Sequence, residues 1–282
     1  MNEVSVSATQ SNGSTPFLVD SHVHYYPCFD KYSLLAGAAG NFASAASRLG
    51  IANPVGMLIF VENRGSRDLT RLVTEVREDK ASPWTVSATN EASSVTVHRE
   101  GAPRLVLLPG RQIKTAEALE VLAIDCSADI PDGKPVRDTL KMVYAAGSLV
   151  VVPWGFGKWL FGRGRLVSDL VQEEAPGRFF LGDNGGRPSP SPRPRQFHLA
   201  VNRGMGVLPG TDPLPIPGEE VRAGAYGFIV PEMIDQGRPG ESLRRYLENP
   251  ATSLTPYGKG SSWLACLRRQ VLLRTGGSDR WS

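Results

Sequence analysis

Cysteine is scarce in this sequence. Among 282 residues there are only Cys28, Cys126 and Cys266, far apart, odd in number and never in a C-x-x-C pair. That excludes a disulfide framework or a zinc knuckle and fits a reducing cytoplasm. A surplus of charge is missing too. The 31 Lys and Arg against 28 Asp and Glu leave +3, too balanced for a dedicated nucleic-acid binder, so no nucleic-acid partner is expected and any anion affinity must be local. Residues 1–16 hold no Lys, no Arg and no apolar run, which reads as a disordered lead-in and not a signal peptide. The longest uncharged apolar candidate, Met142 to Gly157, contains Pro153 and several glycines and is too short to span a bilayer, so a soluble protein with no membrane partner is expected. No Ser-His-Asp or Cys-His nucleophile pattern and no P-loop spacing is recognisable.

A hydrophobic share of 41% is enough to exclude disorder as the main description, and 30 Gly with 22 Pro predict many shaped loops. Strand-like and helix-like stretches alternate, which predicts α/β architecture around a largely parallel sheet. Strands are expected at Phe17 to Asp20, Val55 to Val61, Leu149 to Val152, Arg178 to Leu181 and Gly206 to Leu208, with a further short element at Tyr226 to Val230. Helices are expected about Ser33 to Leu49, after a Ser66 cap, about Lys134 to Ala146, around Leu166 to Val171 and around Phe197. Four strand-like runs between Trp84 and Asp125 break the alternation and predict a hairpin inserted into a barrel, and two helices close the chain. The expected organisation is one domain over residues 17–282, a distorted TIM-like barrel of seven or eight βα units.

The most informative residues are Asp20-Ser21-His22-Val23-His24, an apolar strand ending in D-x-H-x-H. Residues two apart share a strand face, so His22 and His24 can hold one metal ion together, with Asp20 expected one step deeper on the same face. Half of the chain's four histidines lie here. Late in the chain, Gly210-Thr211-Asp212 ends another apolar strand, and Asp212 stands where barrel enzymes place ligands and bases. The loop from Trp154 to Arg165 follows a strand and joins glycines to Lys158, Arg163 and Arg165, a combination suited to an anion. Arg111 could reach the same rim, whereas His98 and His198 read as surface histidines.

An HxH strand at the start and GTD at the end resemble the metal-dependent barrel hydrolases, both the amidohydrolase superfamily and the PHP (polymerase and histidinol phosphatase) family. The middle of the chain favours PHP. The stretches similar to that family's motifs are Pro109 to Ile113, Glu120 to Ala123, Gly147 to Gly155 and Gly210 to Leu214. Where the family has a metal-binding Glu, this chain has Gln112, and where it has histidines, this chain has Glu120, Trp154 and Leu214. Trp and Leu offer no lone pair and Gln is a weak ligand, so the resemblance implies one ion in place of a full three-metal site.

The resulting expectation is a metal-dependent hydrolase, a phosphoesterase by resemblance. His22, His24 and Asp212 would hold a divalent zinc, manganese or iron ion that activates water. Glu120 or Asp183 would act as the catalytic carboxylate, and Lys158, Arg163, Arg165 and Arg111 would hold a small anionic substrate. The rival expectation is a catalytically degenerate barrel that binds a ligand or partner. Oligomeric state stays open.

Overall fold

Each long apolar run forms a strand buried on both faces. The computed structural model describes residues 16–275 apart from 156, 189–190 and 232–233. The expected lead-in lies outside the described residues except for Pro16, and so does part of the Pro-rich tract after Gly186. In chain order the elements are β1 (Phe17–Val23), α1 (Lys31–Leu49), β2 (Val55–Glu62), α2 (Asp68–Glu78), β3 (Thr85–Ala88), β4 (Val95–His98), β5 (Arg104–Lys114) and β6 (Glu120–Ile124). There follow α3 (Val136–Ala145), β7 (Leu149–Pro153), α4 (Gly162–Glu173), β8 (Phe179–Asn184), α5 (Arg195–Asn202), β9 (Val207–Gly210), β10 (Tyr226–Val230), α6 (Pro239–Glu248), β11 (Thr255–Gly258) and α7 (Trp263–Thr275).

Nine strands hydrogen-bond in the order β11-β10-β1-β2-β5-β6-β7-β8-β9 and curl into a nearly closed barrel. Val19, Met57, Ile59, Val106, Leu108, Leu122, Val151, Phe180 and Leu208 fill the interior. Leu18, Leu58, Phe60 and Leu107 face outward onto α1 and α2, while Val150, Val152, Phe179 and Leu181 face α3, α4 and α5. Two-sided burial explains why these strands read as unbroken apolar runs. Helix α6 adds Leu243, Tyr246 and Leu247 to the interior cluster and stoppers the end near Phe17. The opposite end stays open as a mouth.

Three features depart from the sequence expectation. Strand β6 runs antiparallel to both β5 and β7, reached by a tight turn in which Thr115 N donates to Leu119 O at 2.8 Å, so a βα unit is missing at this point. The expected hairpin β3–β4 is present and pairs with the first half of β5, whose eleven residues also reach β6. Strand β11, Thr-Pro-Tyr-Gly, was not expected, since proline argues against a central strand and here the strand sits at the sheet edge. Ser66 does not cap α2. Its hydroxyl bonds Asp68, and Glu62 Oε1 accepts from Leu69 N at 2.8 Å instead.

Strands β9 and β1 close the barrel by individual bonds. Ser21 Oγ donates to Pro209 O and Asp212 N donates to His22 O, both at 2.8 Å. This approach needs Gly210, because a Cβ there would lie 2.6 Å from His22 Cβ. Gly210→Ala should therefore cost roughly 1–3 kcal/mol in chemical denaturation, an overpacking penalty. Gly40→Ala, in α1 with open space around the added methyl, should instead gain about 0.5–1 kcal/mol.

Candidate metal centre

Strand β1 does not carry its D-x-H-x-H residues on one face. Asp20 lies beside Leu58, but Val23, not His22, lies beside Phe60, so three steps on β1 match two on β2. One extra residue is a β-bulge, and it flips the face that every later side chain occupies. Asp20 thus shares the outward face with Leu18, whereas His22 and His24 turn into the barrel mouth. This corrects the expectation that Asp20 lies beneath the histidines. Its buried carboxylate instead accepts from Thr211 N at 2.9 Å, Thr211 Oγ1 at 2.5 Å, Gly224 N at 2.8 Å and His22 N at 3.2 Å. Burial pushes the Asp20 carboxyl up to about 6 even though these donors pull it down.

The bulge and the Asp20 clamp bring three donor atoms together. His22 Nε2 and His24 Nε2 are 3.1 Å apart, and Asp212 Oδ1 lies 3.4 Å from the first and 3.6 Å from the second. A tetrahedral ion with bonds near 2.0–2.1 Å sets its ligand edges at about 3.3 Å, so the triangle has the size of one face of such a site. The group His22, His24 and Asp212 could hold a metal ion with one position left open. Asp212 has φ 46°, in the left-handed region, which turns the chain sharply after β9 and swings the carboxylate back toward the histidines.

Both nitrogen ligands are buried, and burial, followed by repulsion from His22, pulls the His24 imidazole down to about 3. A hydrogen bond to the Val61 backbone opposes that shift only in part and fixes the ring's orientation. Burial would raise Asp212, but His22, His24, Lys158 and Arg222 outweigh it and hold the carboxyl below its usual value. A neutral His24 imidazole beside an ionised Asp212 carboxylate is the protonation state that metal binding requires of these two groups.

Asn184 completes the arrangement. Its Nδ2 donates to Trp154 O at 2.6 Å and to Asp212 Oδ2 at 2.8 Å, leaving Asp212 Oδ1 for the histidines. Both partners are acceptors, so the amide cannot be flipped, and Asn184 Oδ1 is left buried with no hydrogen-bond partner. His22, His24 and Asp212 therefore fit a cation centre by donor type and spacing.

Of the other expected residues, the structure brings Glu120 and Lys158 to the mouth. Glu120 opens the reversed strand β6 level with Lys114, on the same face as Leu122, and it forms an ion pair with Lys158. Lys158 acts electrostatically on His24 and Asp212 and shares with Asp212 a cavity of about 290 Å³. Trp154 and Leu214 line the same cavity without offering a ligand atom, and Gln112 donates to Asn63 at 3.2 Å.

Asp183, Arg111, Arg163 and Arg165 are not gathered there. Asp183 points to the opposite face of β8 from Asn184, where Arg187 grips both of its oxygens at 2.7 and 2.8 Å and Tyr226 adds a bond at 3.0 Å. Arg111 faces outward and pairs with Glu62 at 3.1 Å. Arg163 donates to Gly157 O at 3.1 Å, and Arg165 is exposed on α4. His98 and His198 are exposed as expected.

Sequence reasoning missed Asn184, Tyr26 and the place of α7, an expected helix, in the cavity wall. Tyr26 stacks its ring 5.1 Å from His24, and burial, then Asp212 and Glu120, keep its hydroxyl protonated well above the usual range. Extending the alternation 22, 24 by one step would have found it. Helix α7 contributes Trp263, Cys266, Leu267 and Arg269 to the cavity wall. It is pinned by Ser261, whose hydroxyl donates to Gly185 O at 2.6 Å, and by Arg269 on Glu219 at 2.8 Å.

No family model and no curated protein matches this sequence. The fold is similar to the crystal structure of PsfC from Pseudomonas syringae PB-5123, with a TM-score of 0.52 and 11% identity over 93% of this chain and 99% of that one. At that identity the likeness extends to the fold alone.

Asn184→Ala should weaken divalent-metal binding about 10–100-fold in calorimetry by freeing Asp212. Asp183→Asn should leave metal affinity intact and cost stability, because it uncouples the largely buried Arg187 pair. The metal-free protein should also show the His24 shift. With a folded value of about 3 below the ordinary 6.5, the unfolded chain takes the proton first. That contribution is whole above pH 6.5 and is lost as pH falls toward 3. His24→Gln should flatten the pH dependence of the denaturation midpoint over that window.

Proposed function

We propose that the chain is a metal-dependent hydrolase on a distorted TIM-like barrel of the PHP type, cleaving phosphoesters of a small anionic substrate. The observation that carries this reading is the His22, His24 and Asp212 triangle, with tetrahedral edges, at the open end of the barrel. One divalent ion bound there would lower the pKa of a coordinated water and polarise a phosphoryl oxygen. Gln112, Trp154 and Leu214 deny the further ligands that a second and third ion would need.

The chain's own groups then divide the remaining work. Lys158 Nζ and Arg269 offer positive charge at the cavity wall for the phosphoryl oxygens. A substrate anion drawn to Lys158 competes with Glu120 for the ammonium group, and release of Glu120 leaves a carboxylate free to accept a proton from the attacking water. Tyr26, held as the neutral phenol, keeps a hydroxyl proton to donate. Asn184 and Asp20 work through Asp212 as positioning residues.

One observation favours the rival reading of a degenerate, ligand-binding barrel: in the absence of substrate Glu120 is already neutralised by Lys158. Metal analysis with a phosphomonoester and phosphodiester panel separates the two. The hydrolase reading expects about one tightly held ion per chain and turnover lost to background in each of His22→Ala, His24→Ala and Asp212→Ala, without additivity. It also expects Lys158→Ala to raise KM while a circular dichroism melt stays unchanged. Metal binding without turnover on any ester would establish the binding protein, and turnover persisting in all three folded ligand variants would place catalysis elsewhere.

A further inference from the structure

A second cavity, of about 380 Å³, opens beside the metal mouth, and Trp154, Gly155, Pro188 and Trp263 line both. Its remaining wall includes Trp159, Leu160 and Pro194. Three tryptophans and three prolines around one hollow are a concentration of flat apolar surface in a chain that has five tryptophans in all. The volume falls within the range of small-molecule sites, about 300–1,000 Å³. Because the two hollows share a wall, one ligand can occupy both.

We infer that this second cavity is the subsite for the organic half of the substrate, and that this half is a planar aromatic ring. This inference rests on the hydrolase reading for the phosphoryl half alone. The two hollows differ in chemistry as the two ends of an aryl or nucleoside phosphate do. The metal mouth has an apolar wall of Leu214 and Leu267 with the shared Trp154, Pro188 and Trp263, but it alone adds Lys158, Asp212, Asn184 and Arg269, groups for charge and hydrogen bonding. The neighbouring hollow has three indoles and three prolines in its wall, and its one cation, Arg187, is held against Asp183 by two hydrogen bonds. Aromatic rings gain from stacking on indole faces through dispersion and quadrupole complementarity, a gain that an alkyl group of similar size lacks.

Trp159 packs edge-on against Phe197 with ring centroids 5.6 Å apart, and Trp154 O is fixed by Asn184. Trp263 is the accessible member, 51% exposed on the first turn of α7. It stands at the junction of the hollows, where a ring entering from the mouth would meet it first.

The test is calorimetric titration of the full-length, metal-stripped protein with adenosine 5′-monophosphate and with ribose 5-phosphate. These two probes differ only by the aromatic base. Stacking predicts that the nucleotide binds about tenfold tighter or more. Trp263→Ala should abolish most of that ratio and Trp263→Phe should keep it, with folding checked by circular dichroism. Equal affinities for the two probes, a ratio untouched by Trp263→Ala, or no nucleotide binding at millimolar concentration would overturn the subsite. Metal-supplemented hydrolysis of phenyl and propyl phosphate is scored separately. Equal turnover of both with no nucleotide preference would sink the subsite and leave the hydrolase standing, whereas nucleotide preference with no turnover would keep the subsite and sink the hydrolase.

Discussion

The site depends on one buried carboxylate that touches no candidate ligand atom. Asp20 gathers four donors from three places in the chain: His22 on its own strand, Thr211 after β9 and Gly224 before β10. Thr211 and Gly224 lie 191 and 204 residues from Asp20 in sequence, and bringing them to it closes the barrel where it would otherwise gape. The cost of holding an anion there shows in its raised pKa, and four hydrogen bonds offset that cost. Because Thr211 is held by both its amide and its hydroxyl, the next residue, Asp212, has little freedom in where it places its carboxylate.

The bulge in β1 solves a problem that a regular strand cannot. The clamp must face away from the barrel interior to reach Gly224, while the histidines must face into the mouth. An uninterrupted alternation would put residues 20, 22 and 24 together. One inserted residue separates structural and chemical roles within five positions, and the left-handed backbone at Asp212 performs the matching turn on the far side. Asn184 then divides the Asp212 carboxylate into an anchored oxygen and a presented one.

The pieces of the site that were legible in the sequence are those carried by local alternation and by strand ends. His22, His24 and Asp212 come from strand-end motifs, and the α/β order came from apolar runs buried on both faces. The pieces that were not legible depend on pairings between distant segments. Nothing in Asp20-Ser21-His22 marks the register slip against Leu58 and Phe60. In Gly182-Asp183-Asn184 the acidic residue looked like the chemical one, yet strand alternation gives the mouth to Asn184 and the outer face to Asp183. Arg111 followed the same logic: one residue from Gln112, it falls on the outer face and meets Glu62. The reversal of β6 was hidden because a short strand reads alike in either direction, and that reversal is what brings Glu120, its first residue, level with the ends of its neighbours.

Helix α7 lines the mouth with Trp263, Leu267 and Arg269 and follows all the barrel strands in chain order. Neither the Asp20 clamp nor the His22, His24 and Asp212 triangle uses a residue of that helix. The wall of the cavity is therefore a separable part, attached through Ser261 on Gly185 and Arg269 on Glu219, and its side chains can be exchanged without touching the bonds that shape the centre.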